Sequence, residues 1–305
     1  MLHKPCSKSD TATKKRNAIM KDLIPIHPPY LRKKLMIASL IIFTVFLLPS
    51  LLRASPYKTI TFPSKEGLPI TVDLYIAHPE TAPFIILFHR ARWSRGEYRE
   101  IAPKLNKMGF NCMAVDQRSG DRVNGIINET AKLAKQKGKS TTYLDALQDI
   151  EAAISYAKFH FAKEKLIVWG SSYSAALVLK IAGDKPKLAD GVLAFAPGEY
   201  FTKFGKSNTY ITESAKSIIC PIFITSAKPE KERWLAIYQA IPSKTKTFYL
   251  PETKGVHGSE ALWKSTPEYE GYWKAVRSFL NQFLPEKNKQ QTMITPVFNQ
   301  SYNNH

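Results

Sequence analysis

Residues 165–183 read KLIVWGSSYSAALVLKIAG and contain the clearest indication of the fold. The apolar run Lys165–Gly170 is typical of a strand buried on both faces, and Tyr173–Gly183 has the composition of a buried helix. A sharp turn, GSSYS at residues 170–174, lies between them. Strand, turn and helix in this order are the setting of a nucleophile elbow, in which a strained turn exposes the hydroxyl of its central serine, here Ser172.

The residues around Ser172 are small enough for such a turn, although one departs from the usual pattern. Strand and helix pass closely there, so the positions two residues before and after the serine must be small. Gly170 and Ser174 meet that condition, but the usual pattern is G-x-S-x-G, and Ser174 replaces its last glycine. The other interpretation is an ordinary helix with a serine N-cap, formed by Ser171 or Ser172.

The rest of the chain from Pro56 onward alternates between strand-like and helix-like runs. A hairpin is predicted first, because Lys58–Phe62 and Pro69–Ile76 alternate apolar and polar residues on either side of a turn. The further predicted strands are Phe84–His89, Asn111–Val115, Lys165–Gly170, Gly191–Phe195, Pro221–Thr225 and Thr245–Leu250. The predicted helices are Tyr98–Met108, Tyr143–Phe161, Tyr173–Gly183, Glu230–Ile241 and Tyr269–Phe283, and residues 117–140 are predicted to form a loop with a short helix. This order predicts an α/β fold with a mostly parallel, eight-stranded sheet that helices cover on both faces.

The N-terminal part of the chain differs from the rest in charge and hydropathy. The whole chain of 305 residues is 44% apolar and carries a formal charge of +19, and residues 1–34 alone hold nine basic and two acidic side chains. An uncharged apolar run, Leu35–Leu52, follows and is long enough to enter a bilayer as a helix. The basic region 1–34 should stay cytoplasmic, so we expect an exported domain at residues 56–285, on the periplasmic or extracellular side.

Two interpretations of the apolar run remain open. The junction at Arg53 is a poor signal-cleavage site, which favours an uncleaved transmembrane anchor at 35–52 over a signal peptide and a secreted domain. At the other end, the polar residues 286–305 are predicted to be a disordered tail.

Several classes of protein are excluded by what the chain lacks. Its three cysteines show no CxxC pair, and its histidines lack the spacing of metal ligands, so we expect neither a disulfide scaffold nor a metal site. Glycine-rich phosphate loops are absent as well, and no cofactor is predicted. The positive charge of the exported part is dispersed rather than striped with aromatic residues, which argues against nucleic acid as a partner.

The order of residues along the chain supports the elbow. In triads built on such an elbow, the nucleophile comes first, then the acid, then the histidine. Only two histidines follow Ser172, and one of them, His305, ends the polar tail. The other, His257, lies in KGVHGS directly after the last predicted strand, where a base can reach a serine at the carboxyl edge of the sheet.

Residues 56–285 resemble an α/β-hydrolase, because the N-terminal hairpin, the FIILFH strand with its loop, the GSSYS elbow and the VHG loop follow one another in this order. The likeness is to the compact form found in dienelactone-hydrolase-like esterases and small serine hydrolases. It implies a serine hydrolase that cleaves an ester or other acyl bond of a small molecule through a Ser-His-acid triad and an acyl-enzyme. Dienelactone hydrolase itself has a cysteine at the elbow, so its particular chemistry does not extend to Ser172.

The resemblance also implies an oxyanion hole made of two backbone N–H groups. One is that of Tyr173, directly after the nucleophile, and the other belongs to the loop after FIILFH. Relatives usually read His-Gly-X there, whereas this chain reads His-Arg-Ala, so Ala91 is the expected donor and Arg90 the alternative. Arg92 and Trp93 follow and are expected to line the substrate-binding mouth, although a solvated surface role is the plainer interpretation of the arginines.

Two carboxylates are candidates for the acid of the triad. Its usual place is the loop after the strand PIFIT, which contains Glu230. Some relatives carry it after the preceding strand, which here brings Glu199. Two other functions also remain open: a non-catalytic α/β-hydrolase-like module that binds a partner, favoured by the departures at Arg90 and Ser174, and an acyltransferase on the same scaffold.

Overall fold

An eight-stranded sheet forms the centre of residues 56–286, which are the part of the chain that this computed structural model describes. In chain order the strands are β1 (Lys58–Pro63), β2 (Pro69–Tyr75), β3 (Phe84–Phe88), β4 (Asn111–Val115), β5 (Arg122–Val123), β6 (Ile126–Ile127), β7 (Leu166–Ser171), β8 (Gly191–Phe195), β9 (Ile222–Thr225) and β10 (Lys246–Tyr249). The α-helices are α1 (Ile101–Lys107), α2 (Glu129–Gln136), α3 (Ala146–His160), α4 (Tyr173–Asp184), α5 (Tyr210–Ala215), α6 (Lys231–Ala240) and α7 (Tyr269–Leu280).

The strand order of the large sheet is β1-β2-β4-β3-β7-β8-β9-β10. Strands β1 and β2 form an antiparallel hairpin, and β2 also pairs antiparallel with β4. All the other pairs in this sheet are parallel. The predicted mostly parallel, eight-stranded sheet is therefore confirmed, including its antiparallel edge.

Two hydrophobic cores lie on opposite faces of the sheet, because side chains alternate along each buried strand. In β3, Phe84, Ile86 and Phe88 belong to one core, while Ile85 and Leu87 belong to the other. The first core also holds side chains of α3 to α6, and the second holds those of α1 and α7. Helices thus cover both faces, as the continuous apolar runs predict.

The connection after β4 is more regular than the predicted loop with a short helix. Strands β5 and β6 form a small antiparallel hairpin there, and α2 follows with Asn128 as its N-cap. Helix α5 was not predicted, because a six-residue helix shows too little periodicity to be recognised. The helix predicted at Tyr269–Phe283 is an α-helix only as far as Leu280, and its last three residues form a 3₁₀ turn.

The predicted N-region 1–34, the apolar segment 35–52 and residues 287–305 of the predicted tail lie outside the described residues. Within residues 56–286, no helix combines the length and hydropathy that crossing a bilayer requires. Cys112 and Cys220, the two cysteines of this part, are buried free thiols, in keeping with a packing role.

Candidate active site

Ser172 lies at the sharp bend between β7 and α4. Its backbone has φ 60° and ψ −122°, a strained conformation for a residue other than glycine. The bend is held by the Ser172 N–H, which donates to the carbonyl of Phe195 on β8 at 2.7 Å. Ser172 is partly exposed although its neighbours Ser171 and Tyr173 are buried. These features are those of a nucleophile elbow, and they differ from an ordinary serine N-cap, since the Ser172 side chain forms no capping hydrogen bond.

The small residues on either side of Ser172 have distinct roles. A Cβ at Gly170 would lie 2.4 Å from the carbonyl oxygen of Ser174 and 2.5 Å from the backbone of Ala175, so only glycine fits. Ser174, which replaces the usual second glycine, is buried and donates its hydroxyl to the Phe88 carbonyl at 2.7 Å. The same oxygen accepts the Ser171 N–H at 2.9 Å. Ser174, which stands where the usual pattern has glycine, therefore joins the elbow to β3 through its hydroxyl.

Glu230 and His257 are in direct contact. The Glu230 Oε1 and the His257 Nδ1 are 2.7 Å apart, which is the geometry of a carboxylate that accepts the Nδ1–H. Their loops are joined by the Lys228 N–H, which donates to the Lys254 carbonyl at 2.8 Å. In this tautomer the other ring nitrogen, Nε2, keeps a free electron pair and can accept a proton.

Glu199, the alternative acid, is engaged elsewhere. Its carboxylate accepts the backbone N–H groups of Ile211 at 2.9 Å and Thr212 at 2.8 Å, and also the Thr212 hydroxyl at 2.8 Å. It therefore caps the start of α5, where backbone donors have no partner inside the helix. Of the two predicted carboxylates, the structure brings only Glu230 to His257.

The histidine loop, residues 254–259, also contacts the elbow. The Ser259 N–H donates to the Ser171 hydroxyl oxygen at 2.9 Å, one residue before Ser172. Among the described residues, no hydrogen bond joins the Ser172 hydroxyl to the His257 ring. Catalytic hydrogen bonds of this kind are often long in the free enzyme and tighten only with substrate bound.

Tyr200 is a neighbour of Ser172 that sequence reasoning missed. Its hydroxyl donates to the Ala196 carbonyl at 2.7 Å, at the end of β8. Burial raises the pKa of Tyr200 to about 12, the charge of Glu230 adds to the rise, and the hydroxyl of Ser172 opposes it. Tyr200 thus lies close to both the elbow and the acid. No pattern marks it, because a tyrosine in a polar loop resembles any exposed tyrosine.

The loop after β3, residues 89–93, contains the predicted oxyanion donors and is called the oxyanion loop below. The Arg90 N–H is occupied, because it donates to the carboxylate of Glu97 at 2.8 Å. The alternative donor Arg90 is therefore excluded in this conformation. The Ala91 N–H has no hydrogen-bond partner among residues 56–286, and Tyr173 opens α4, where N–H groups lack intrahelical partners. Ala91 and Tyr173 are the backbone donors that remain available.

The Arg90 side chain lies across the site instead of extending into solvent. Its Nη1 donates to the His257 carbonyl at 3.1 Å and forms an ion pair with Glu260 at 3.0 Å. Its guanidinium carbon lies 4.0 Å from the ring centroid of Trp93. The arginine that replaces the usual glycine thus clamps the oxyanion loop to the histidine loop, and the surface interpretation of Arg90 was wrong.

The two residues predicted to line the mouth differ in exposure. Arg92 is exposed and has a left-handed backbone with φ 65°. Trp93 is partly buried and stacks on Trp263, with ring centroids 5.1 Å apart. A role for either residue in substrate binding stays a prediction.

His89, the first residue of the oxyanion loop, is fully buried, and both nitrogens of its uncharged ring contact neighbouring residues. Its ring Nδ1 lies 2.7 Å from the Arg90 carbonyl, and its Nε2 lies 2.9 Å from the amide nitrogen of Asn128. Burial lowers the pKa of His89 to about 4, so the ring is uncharged at neutral pH. An Nδ1–H donor and an Nε2 acceptor satisfy both contacts.

A second residue that sequence reasoning missed is Glu97, which lies fully buried behind the elbow. It accepts hydrogen bonds from Ser171 and from the backbone of Arg90. Nothing in the sequence marks Glu97, because it stands among charged residues just before a predicted helix.

Within the described residues, no group of histidine, cysteine and carboxylate side chains is arranged to hold a metal ion.

Comparison with known proteins gives one family match over part of the chain. A family model described as serine aminopeptidase, S33, matches residues 79–204, which is less than half of the chain. The match contains the oxyanion loop and Ser172 but ends before Glu230 and His257. A sequence search of curated proteins finds no match.

Solved structures with a similar fold include an esterase and a dienelactone hydrolase. The esterase Pf2001 of Pyrococcus furiosus is 19% identical, with a TM-score of 0.56 over 74% of this chain and 92% of its own. The dienelactone hydrolase of Anabaena variabilis is 10% identical, with a TM-score of 0.58 over 76% of this chain and 100% of its own. Est1E of Butyrivibrio proteoclasticus, solved with ferulic acid, is 15% identical, with a TM-score of 0.55 over 73% and 98%. At these identities the likeness shows the α/β-hydrolase fold, as the sequence predicted.

Proposed function

We propose that this chain with an α/β-hydrolase fold is a serine hydrolase that cleaves a carboxylic ester or related acyl bond through an acyl-enzyme. One observation carries the proposal: the 2.7 Å contact between Glu230 and His257, on loops that meet the strained elbow of Ser172. A carboxylate, an imidazole and an elbow serine at one sheet edge are the parts of a catalytic triad. The family match to serine aminopeptidases supports hydrolysis by a serine nucleophile.

The reaction would begin with attack by Ser172 on the acyl carbonyl. His257 takes the hydroxyl proton on Nε2 as the new C–O bond forms, and the carbonyl electron pair moves onto its oxygen. Glu230 fixes the imidazole tautomer and stabilises the imidazolium through the Nδ1–H. The leaving alcohol takes the proton from His257 as the old C–O bond breaks, and an acyl-enzyme remains.

The second half of the reaction reverses the first, with water as the nucleophile. His257 accepts a proton from water, and the hydroxide adds to the acyl carbon before Ser172 leaves with that proton. In both halves the N–H groups of Tyr173 and Ala91 are expected to hold the oxyanion. Each well-placed donor of this kind contributes about 3–4 kcal/mol to the stabilisation of the transition state.

Esters are the substrate class that we favour. The support comes from the named activities of proteins with a similar fold, among them the esterase Pf2001 and a dienelactone hydrolase. The segment between β4 and α3 contains only a small hairpin and the eight-residue helix α2, so any lid that it forms is small. We propose a small-molecule ester with a short or extended acyl group. An ester-length series in which long-chain lipids react best would contradict this part.

We further propose that the domain is exported and tethered to the membrane. The basic region 1–34 before the apolar run Leu35–Leu52 supports this topology, and the poor cleavage site at Arg53 favours an anchor over secretion. Cell fractionation of the full chain tests it. Recovery in the membrane fraction, with the domain accessible to external protease, is expected. A soluble, shortened product outside the cell would support a cleaved signal, and a cytoplasmic soluble product would overturn both.

The activity is tested with a fluorophosphonate probe, which reacts with activated serines. We expect labelling of the full-length protein at Ser172, identified by peptide mass. Labelling should disappear in Ser172→Ala and persist in Ser207→Ala, which alters an exposed serine far along the chain. A folded protein that is not labelled and hydrolyses no ester would support a non-catalytic binding module. Transfer of the acyl group to an added alcohol in preference to water would identify an acyltransferase.

A further inference from the structure

Glu97 is a buried carboxylate at the point where three functional loops meet. It belongs to the 3₁₀ turn Arg95–Tyr98 and is completely shielded from solvent. Among the described residues, no cation lies within ion-pair distance of it. Burying an ionisable group in this way is unfavourable unless hydrogen bonds compensate, so the contacts of its two oxygens need an explanation.

The first oxygen joins the elbow to the histidine loop. The Ser171 hydroxyl donates to the Glu97 Oε1 at 2.7 Å, and the same hydroxyl oxygen accepts the Ser259 N–H at 2.9 Å. The Ser259 hydroxyl in turn accepts the indole N–H of Trp169, on β7, at 2.9 Å. The residue before the nucleophile and the residue two after His257 are therefore held by one chain of hydrogen bonds.

The second oxygen holds the oxyanion loop. The Arg90 N–H donates to the Glu97 Oε2 at 2.8 Å. This contact turns the Arg90 N–H toward the protein interior and leaves the next N–H, that of Ala91, without a partner. Glu97 thus binds one N–H group of the oxyanion loop, that of Arg90, while the N–H group of Ala91 stays available to a substrate.

Gly258 closes this cluster. Its backbone has φ +77°, and a Cβ there would lie 2.6 Å from the Ser171 Oγ and 3.8 Å from the Glu97 Oε1. The close approach leaves no room for a side chain between the histidine loop and the carboxylate. The elbow, the oxyanion loop and the histidine loop are consequently packed around one buried acid.

We propose that Glu97 is a positioning residue for the serine hydrolase reaction, whose ionised carboxylate holds Ser171, Arg90 and, through Ser171, Ser259 in the arrangement that the reaction requires. This inference rests on the proposed function of Ser172 and His257. It adds to the three residues of the proposed triad a fourth residue, and a second carboxyl group, that touches neither substrate nor the reacting atoms.

The role depends on the charge of Glu97. An ionised carboxylate accepts from both Ser171 and Arg90, whereas a protonated one has to donate from one oxygen and loses one of these contacts. Burial raises the pKa of Glu97 to about 7, and the charge of Arg90 opposes the rise. The groups that face it are Arg90 on the oxyanion loop, Tyr98 beside it in the chain, and Ser259 on the histidine loop. Protonation of Glu97 should therefore loosen the site as pH falls through about 7.

The experiment compares Glu97→Gln with wild type and with Glu100→Gln. Glutamine keeps the size of Glu97 but accepts through one oxygen only. Glu100 is an exposed carboxylate three residues away that binds the Lys264 N–H at 3.1 Å, so its variant is a matched control. The measured quantity is the second-order rate of fluorophosphonate labelling of the full-length protein between pH 5 and 9.

We expect Glu97→Gln to be labelled about 10- to 100-fold more slowly at pH 8, because displacing oxyanion donors slows reaction at the serine by such factors. The acid limb of the wild-type profile should be steeper than one proton allows, and that of Glu97→Gln should fit a single proton. A purely structural role would lower the rate without changing that slope. Glu100→Gln should follow wild type.

Equal rates and equal acid limbs in wild type and Glu97→Gln would overturn the inference. Absence of labelling in wild type would instead refute the proposed function, so the two failures are distinguishable. If Glu97→Gln does not fold, Ser171→Ala replaces it, because this variant removes only the hydroxyl that joins Glu97 to Ser259. Several-fold slower labelling of Ser171→Ala would support the inference, and a wild-type rate at every pH would overturn it.

Discussion

The Ser259 N–H donates to the Ser171 hydroxyl over 2.9 Å, which attaches the histidine loop to the nucleophile elbow. The two residues are 88 positions apart in the chain. Because each is adjacent or nearly adjacent to a residue of the proposed triad, this one contact limits how far His257 can move from Ser172. The loops are further tied by Arg90, which spans from the oxyanion loop to the His257 carbonyl. Hydrogen bonds between loops thus hold the parts of the proposed active site together.

The identity of the acid is tested with two matched variants. Glu230→Gln should lower kcat/KM for an ester by about 10³–10⁴, since an amide no longer holds the imidazole in the required tautomer. Glu199→Ala should leave kcat/KM within about twofold of wild type but lower the free energy of unfolding by about 1 kcal/mol, because the cap of α5 is lost. Steady-state kinetics and urea unfolding measure the two effects. The opposite pattern would identify Glu199 as the acid.

A methyl group at Gly258 should disrupt the site. In Gly258→Ala the new Cβ would lie 2.6 Å from the Ser171 Oγ, and the left-handed backbone at φ +77° adds strain. Gly205→Ala is a matched control, since Gly205 has the same φ of +77° but no atom within 4 Å of the added Cβ. Both variants should lose about 1 kcal/mol of stability from the backbone.

Only Gly258→Ala should also lose most of its fluorophosphonate labelling and of the proposed activity on esters. Thermal melts and labelling rates distinguish the two effects. If Gly258→Ala retained the rate of Gly205→Ala, the close packing between the histidine loop and Ser171 would be unimportant for the reaction.

Ser174 is expected to contribute to stability through its hydroxyl. Ser174→Ala removes the donor to the Phe88 carbonyl and the acceptor for the Ser171 N–H, both buried. Leaving such groups unpaired costs about 1–3 kcal/mol. For a domain of this size each kcal/mol lowers Tm by about 2–4 °C, which calorimetry detects. The exposed Ser207→Ala should melt with wild type, and an unchanged Tm in Ser174→Ala would contradict the assigned bridge to β3.

Ionisation of Glu97 should lower the free energy of unfolding as pH rises. Its pKa is raised by burial to about 7 from an ordinary value of 4.5, so the folded state binds this proton more tightly than the unfolded state. The stabilisation from the bound proton is complete below about pH 4.5 and is lost as pH rises to about 7. The full change is on the order of 3 kcal/mol by linkage.

The free energy of unfolding in urea, measured from pH 5 to 8, checks this expectation. The difference between Glu97→Gln and wild type should grow across the range in favour of the variant, because glutamine cannot ionise. Asp116, whose pKa burial raises to about 6, shows the same trend in both proteins and cancels in the difference. A difference that does not change with pH would mean that Glu97 does not titrate in this window.

The sheet and the position of the proposed nucleophile, Ser172, follow from local features of the sequence. Buried strands such as β3 and β7 appear as continuous apolar runs, and the elbow appears as a glycine and serines between a strand and a helix. His257 was located by chain order alone. These features are local or sequential, because burial and sharp turns restrict the residues at the position itself.

The contacts between polar groups of distant segments are visible only in the folded structure. It paired His257 with Glu230 and assigned Glu199 to a helix cap, although both carboxylates follow strands that end at the same edge. It also placed Glu97 against Ser171, 74 residues away, and Arg90 against Glu260, 170 residues away. A hydrogen bond depends on two atoms within about 3 Å of each other. Periodicity in one segment contains no information on the distance to a partner in another, so only the packed loops could reveal these contacts.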